Sequence, residues 1–174
     1  ENRYIIIPDE ATAKEQYAAT LLQKILKDQA GYPLNIKVEK EQPAGSSAFF
    51  IGNTSNQMQK PESYANPDGY SLTEDRGDWY FQGGTRRGLL NAVTSFLTED
   101  LGYRYYSSFL PGFFINRPTT LQAVPRLFNP QFDLRTLYIV EAWDKDFIIF
   151  NHAQPIRQTP ILPPELGDSI SYPS

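Results

Sequence analysis

The sequence contains no cysteine and a single histidine, His152. Without cysteine there is no disulfide, no thiolate zinc site and no thiol nucleophile. A Ser-His-Asp triad or an imidazole-rich metal site would have to be built on His152 alone. Positive charge is also sparse. Over 174 residues, 16 Lys and Arg face 20 Asp and Glu, a net charge of −4. The basic stripe that binds a nucleic-acid backbone is therefore missing, and nucleic acid is not an expected partner. No run of about 18 apolar residues is present to span a membrane. A complete (β/α)8 barrel, at about 250 residues, needs more chain than this. The opening Glu1-Asn2-Arg3 has neither Met nor an apolar leader and reads as a mature product or an excised piece. The expectation is export in a bacterium, to the periplasm or beyond.

What the sequence does hold is ample core material for one domain: 11 Phe, 11 Tyr and 2 Trp. Tyr4 to Ile7 is an apolar run ended by Pro8, a buried strand. Asp9 is the expected N-cap of a helix from Ala11 to Ala30, where Ala18, Leu21, Leu22, Ile25 and Leu26 fall on one face. Gly31 is its natural stop. Strands follow at Leu34 to Glu39 and at Ala48 to Ile51. Tyr70 and Leu72 then alternate with polar residues, as do Trp79 and Phe81, on either side of a Glu74–Asp78 turn, which predicts a hairpin. Thr85 is the expected cap of a second amphipathic helix from about Arg86 to Leu101, stopped by Gly102. Tyr103 to Tyr106 is a short aromatic strand. The order β-α-β-β-β-β-α-β predicts an α+β sandwich, with two long helices on one face of a mixed or largely antiparallel sheet. Residues 1–122 form that domain, 123–131 a Pro-containing linker, and 132–174 either the start of another unit or an irregular tail. In that last stretch Phe132 to Val140 has a strand pattern and Ala142 to Asn151 suits a short helix.

Several segments carry a family likeness. They are Tyr4-Ile5-Ile6-Ile7-Pro8, the helix Ala18 to Leu26, Phe49-Phe50-Ile51-Gly52-Asn53-Thr54, and Asp68-Gly69-Tyr70-Ser71. Gly83-Gly84-Thr85-Arg86-Arg87-Gly88-Leu89-Leu90-Asn91-Ala92-Val93 and Leu101-Gly102-Tyr103-Arg104-Tyr105-Tyr106 add to it. Together they resemble the N-terminal α/β domain that precedes the catalytic barrel of family-67 α-glucuronidases. The second domain of family-20 hexosaminidases is similar, as is a domain placed before glycosidase-like barrels in uncharacterised bacterial proteins. The resemblance covers roughly residues 4–122. It implies a non-catalytic accessory domain of a carbohydrate-active multidomain protein, with its own downstream barrel as partner and Phe132 to Val140 as the first barrel strand. The alternative is a free-standing carbohydrate-binding module with an aromatic surface.

Several residues are candidates for chemistry. Arg86 and Arg87 flank a glycine turn at a helix start, a setting for an anion, although pairing with nearby acids serves equally. Neither the P-loop nor the dinucleotide fingerprint fits that turn. Glu141, Trp143 and Asp144 follow the expected barrel strand and combine acids with a ring suited to sugar stacking. Tyr105 and Tyr106 belong to an aromatic group with Tyr103, Phe109, Phe113 and Phe114, either a sugar platform or a domain-packing surface. Glu74 with Asp75 and Glu99 with Asp100 are adjacent pairs that read as solvated, whereas glycoside hydrolysis needs two carboxylates about 5–10 Å apart across the sugar. A small enzyme built on Glu141, Asp144 and His152 is the remote reading. No catalytic residue, metal or cofactor is assigned. An orphan segment 132–150, with Phe132, Leu134, Leu137, Ile139, Phe147, Ile149 and Phe150, is expected either to pack back on the aromatic face or to mediate self-association.

Overall fold

The computed structural model describes residues 3–55, 64–110, 112–132, 135–137, 139–153 and 163–167. Strand β1 (Arg3–Ile7) leads to helix α1 (Ala13–Ile25), which widens into a π-type turn over Leu26–Ala30 and stops at Gly31 with φ 76°. Strands β2 (Asn35–Val38), β3 (Ser47–Ile51), β4 (Tyr70–Asp75) and β5 (Asp78–Gly83) follow. Helix α2 (Gly88–Ser95) then runs into a second π-type turn, Phe96–Asp100. After it come β6 (Tyr103–Arg104), β7 (Phe113–Phe114), β8 (Arg126–Phe128) and helix α3 (Lys145–Phe150).

The six-stranded sheet has the order β2-β1-β3-β5-β4-β8. It is mixed: β2, β1, β3 and β5 are parallel neighbours, and β4 runs antiparallel to β5 and to β8. Parallel strands buried on both faces need apolar residues at consecutive positions. That is why Ile5-Ile6-Ile7, Ala48-Phe49-Phe50-Ile51 and Trp79-Tyr80-Phe81 are unbroken runs, all buried. One face carries Ile5, Ile7, Phe49, Ile51, Leu72 and Phe81 and is covered by α1 and α2, so both long helices do lie on one face. Phe96 anchors this layer edge-to-face against Phe49 and Phe81, at 5.4 and 5.3 Å between ring centroids. The opposite face holds a smaller cluster of Ile6, Ala48, Phe50 and Tyr80, the last two rings stacked 4.9 Å apart.

Three local expectations are corrected. The N-cap of α1 is Thr12, not Asp9. The Glu15 amide donates to Thr12 Oγ1 at 3.3 Å and the Thr12 amide to Glu15 Oε2 at 2.8 Å, a reciprocal capping box. Asp9 instead accepts from the Lys40 amide. Thr85 does not cap α2: the N-cap position is Arg87, whose own side chain makes no cap bond. The aromatic strand Tyr103 to Tyr106 is only two residues long and lies outside the main sheet, paired with β7 as a separate two-stranded ribbon. The sixth strand of the main sheet is β8, from the stretch expected as linker. Arg126 fastens it, donating to Asp100 Oδ2 at 2.7 Å and to Ser95 Oγ at 2.8 Å.

Of the stretch expected as a barrel strand, residues 133, 134 and 138 lie outside the described residues. None of the strands among the described residues includes the rest. The short helix expected next is α3, capped by Asp144, which accepts from the Phe147 amide at 2.7 Å. Phe147, Ile148, Ile149 and Phe150 are all buried, and Phe150 stacks on Tyr105 at 5.6 Å. In the described residues this segment packs back on the aromatic face. Phe132, Leu137 and Ile139 remain exposed. Of the tail prolines, Pro155, Pro160 and Pro173 lie outside the described residues, and Pro163 and Pro164 open a single 3-10 turn.

Candidate functional site

The Gly83–Gly88 turn is built on a carboxylate that precedes it by a whole hairpin. Asp68 is completely buried in the loop before β4. It accepts from Arg86 Nε and Arg86 NH2 at 2.8 and 2.9 Å and from the Arg87 amide at 3.2 Å, and it pairs with Arg135. The Arg87 amide is one of the first N–H groups of α2, so Asp68 is the helix cap that Thr85 was expected to be. Burial alone would raise this carboxyl. The bonds from Arg86, the charge of Arg87 and the contact with Arg135 outweigh it and hold the group at about 2. Both sequence candidates at this turn are thus committed inside the chain: Arg86 to Asp68, and Arg87 to the Ala153 carbonyl, with its charge beside Asp68.

The same cluster clamps the C-terminal segment. Arg135 bridges Asp68 and the His152 carbonyl. The His152 ring shares a 2.9 Å hydrogen bond with Thr94 on α2. Burial lowers the imidazole, the charges of Arg135 and Arg87 lower it further, Asp68 opposes them, and the ring titrates at about 4 instead of 6.5. The unfolded chain therefore binds more protons between those values. Stability is expected to be full above pH 6.5 and to fall as the pH drops, by about 3 kcal/mol at pH 4. Urea melts across this range would show it. His152→Asn, which tolerates the positive φ of 50° at this position, should flatten the slope in that window. The group is a part-buried structural imidazole held by Thr94, and neither Glu141 nor Asp144 bonds to it.

The acid loop is also engaged. Asp144 caps α3 and accepts from the Tyr105 hydroxyl at 2.9 Å. Burial first, and then that carboxylate, push the Tyr105 phenol up. Asp146 accepts from Tyr17 on α1. Glu141 lies in the 3-10 turn Val140–Trp143, and Trp143 is exposed. Asp100 is paired with Arg126, and Glu74 accepts from the Gly77 amide inside its own hairpin turn.

The aromatic group divides in two. Tyr103, Tyr105 and Phe114 turn inward against Phe150 and one another. Tyr106, Phe109, Leu110, Phe113 and Ile115 form an outward ridge, with Phe109 at 78% exposure and Leu110 at 59%. Tyr106 and Phe113 are 6.0 Å apart and inclined by 59°. Sequence reasoning gave Asp68 no role. Its only trace was the Asp68-Gly69-Tyr70-Ser71 segment of the resemblance.

A mixed sheet with two helices on one face, joined through a buried aspartate to a glycine turn, defines an α+β domain. The family model "Glycosyl hydrolase family 20, domain 2" matches residues 1–98. The chain belongs to that family, a domain associated with glycoside hydrolases. No curated protein matches it. Among solved structures, it is similar to a family-138 glycoside hydrolase that targets pectin rhamnogalacturonan II, at 10% identity and a TM-score of 0.49. That match covers 77% of this chain and 16% of the enzyme. No helix among the described residues is long and apolar enough to cross a membrane.

Proposed function

We propose that this domain is a non-catalytic accessory of a multidomain glycoside hydrolase, bracing the catalytic barrel through the ridge of Tyr106, Phe109, Leu110, Phe113 and Ile115. The observation that carries the reading is the exposure of that ridge, with Phe109 and Leu110 its most exposed members. Apolar residues clustered at the centre of an interface are what a partner domain buries. The membership in a domain family of glycoside hydrolases supports the same reading. The carboxylates do too: Asp68, Asp100 and Asp144 are spent on ion pairs and caps. A sugar platform offers exposed ring faces aligned for stacking, and the inclined Tyr106 and Phe113 do not supply that.

The double substitution Phe109→Ser with Leu110→Ser tests it. The melt of the 174-residue chain should be unchanged, because both side chains are exposed. In the full gene product the same pair should lower the thermal midpoint of the catalytic unit. A gene product without a barrel would overturn the proposal. So would hydrolysis of aryl glycosides or glucuronides by the 174 residues at rates abolished by one Asp or Glu change.

A further inference from the structure

The two outer strands of the main sheet differ in chemistry. At one end, β2 carries Lys37, whose ammonium lies 5.6 Å from the centre of the Tyr4 ring, and it runs straight into Glu39, Lys40 and Glu41. Charge on an edge strand is how sheets discourage further pairing. At the other end, β8 is Arg126-Leu127-Phe128, and its one strand neighbour among the described residues is β4. Leu127 is 58% exposed and Phe128 45%, and Val124 just before the strand is exposed as well. From Val124 to Pro130 there is neither a lysine nor an acid to blunt this edge.

Where it is described, the chain after β8 is fastened elsewhere: Arg135 is drawn to Asp68 at the start of α2, and His152 to Thr94 on that helix. The register fixes which way the β8 side chains point. Arg126 lies opposite Leu72 and Phe128 opposite Tyr70, on the helix-covered face, whereas Leu127 lies opposite Ser71 and points to the other face. Asp100 and Ser95 hold the Arg126 guanidinium in place. The triplet is self-complementary. When two copies pair antiparallel about Leu127, leucine meets leucine on one face. On the other, Arg126 of each copy lies across from Phe128 of its mate, a cation beside a ring. Pro125 and Pro130 bracket the strand and, lacking N–H groups, keep the ladder from running on. Head-to-tail growth would need β8 to seat on the charged β2 edge, so the two-fold pairing closes on itself.

We propose that β8 is a dimerisation edge, pairing antiparallel with β8 of a second copy of this chain across a two-fold axis at Leu127, so that the two sheets become one. The strand is short, so the contact is small, below about 1,200 Å2 in total, and the dimer is weak, with a Kd on the order of 100 µM. The edge includes no residue of the Tyr106–Ile115 ridge and does not depend on the bracing role.

Sedimentation equilibrium of the full 174-residue chain, between about 10 µM and 1 mM, tests the assignment. The expected result is a monomer–dimer equilibrium with no larger species. Leu127→Lys and Leu127→Glu should each melt at the unchanged midpoint in dilute solution, because the side chain is exposed, and each should weaken the dimer at least tenfold. An equimolar mixture of the two variants should dimerise again, because the two-fold axis sets position 127 against itself and opposite charges then meet. Phe109→Ser with Leu110→Ser, on the ridge, should leave the dimer intact, which separates failure here from failure of the bracing reading. A chain still monomeric at about 1 mM would overturn the proposal. A dimer indifferent to both charged variants, a mixture that stays monomeric, loss of the dimer in the ridge variant, or growth beyond the dimer would overturn it as well.

Discussion

Asp68→Asn is expected to cost about 3–5 kcal/mol, the range found when one member of a buried ion pair is removed and its partners stay behind. The side chain barely changes shape, so the loss isolates the charge. Arg86, Arg87 and Arg135 converge on this one carboxylate, and Arg87 is itself only 2% exposed. With Asn in place, the guanidinium groups repel one another with no counter-charge, and the amide of residue 68 presents donors to donors. Urea unfolding at pH 7 measures it. Adding Arg87→Met to Asp68→Asn should recover part of the loss, because it removes the most deeply buried of the unbalanced charges. A loss below about 1 kcal/mol for the single variant would mean that the cluster contributes no more than a surface pair.

Gly88→Ala should also destabilise, although helix propensity alone predicts the reverse. Alanine is better than glycine inside a helix by about 1 kcal/mol. A Cβ at position 88, however, would lie 2.1 Å from the Gly69 carbonyl oxygen and 2.9 Å from the carbonyl carbon of Gly83. Both are backbone atoms, one in the loop entering β4 and one at the end of β5, so neither can rotate away. The Asp68 cap is adjacent in that same loop and would be displaced with it. A net loss of about 3 kcal/mol is expected, at the upper end of what overpacking costs. A thermal melt followed by circular dichroism decides the sign. A raised midpoint would mean that the crossing of the two backbones is looser than the structure has it.

The apolar runs of β1 and β3 were visible because strands buried on both faces leave no polar alternation to obscure them. The buried face of α1 was visible because Ala18, Leu22 and Ile25 repeat along it. The capping box was also in the sequence, as Thr12 followed three residues later by Glu15, but Asp9 is an equally competent cap residue and stood first. Asp68 could not be found that way. It caps a helix from the far side of a hairpin, and nothing in the residues around Arg87 announces a distant carboxylate. Strand β8 is three residues between prolines, too short for any period to appear. Tyr105 and Tyr106 are neighbours in sequence and chemically alike. One is bonded to Asp144 and the other faces solvent, a division made by α3 arriving from elsewhere in the chain.

The pairing of β8 with β4 has a kinetic consequence. The β4–β5 hairpin is local and closes through Arg76 and Gly77, both at positive φ, so it can form within microseconds of collapse. The partners Tyr70 and Phe128 are separated by α2 and by the β6–β7 ribbon, so the loop between them must close before their hydrogen bonds are made. The outermost strand is therefore the last to join and the first to peel away. During synthesis, the strands from β1 to β5 would already have left the ribosome when Arg126 reached Asp100. The edge of the sheet then behaves as a clasp fastened over a finished core, and its amides should exchange with solvent at lower free energy than those of β1 and β3.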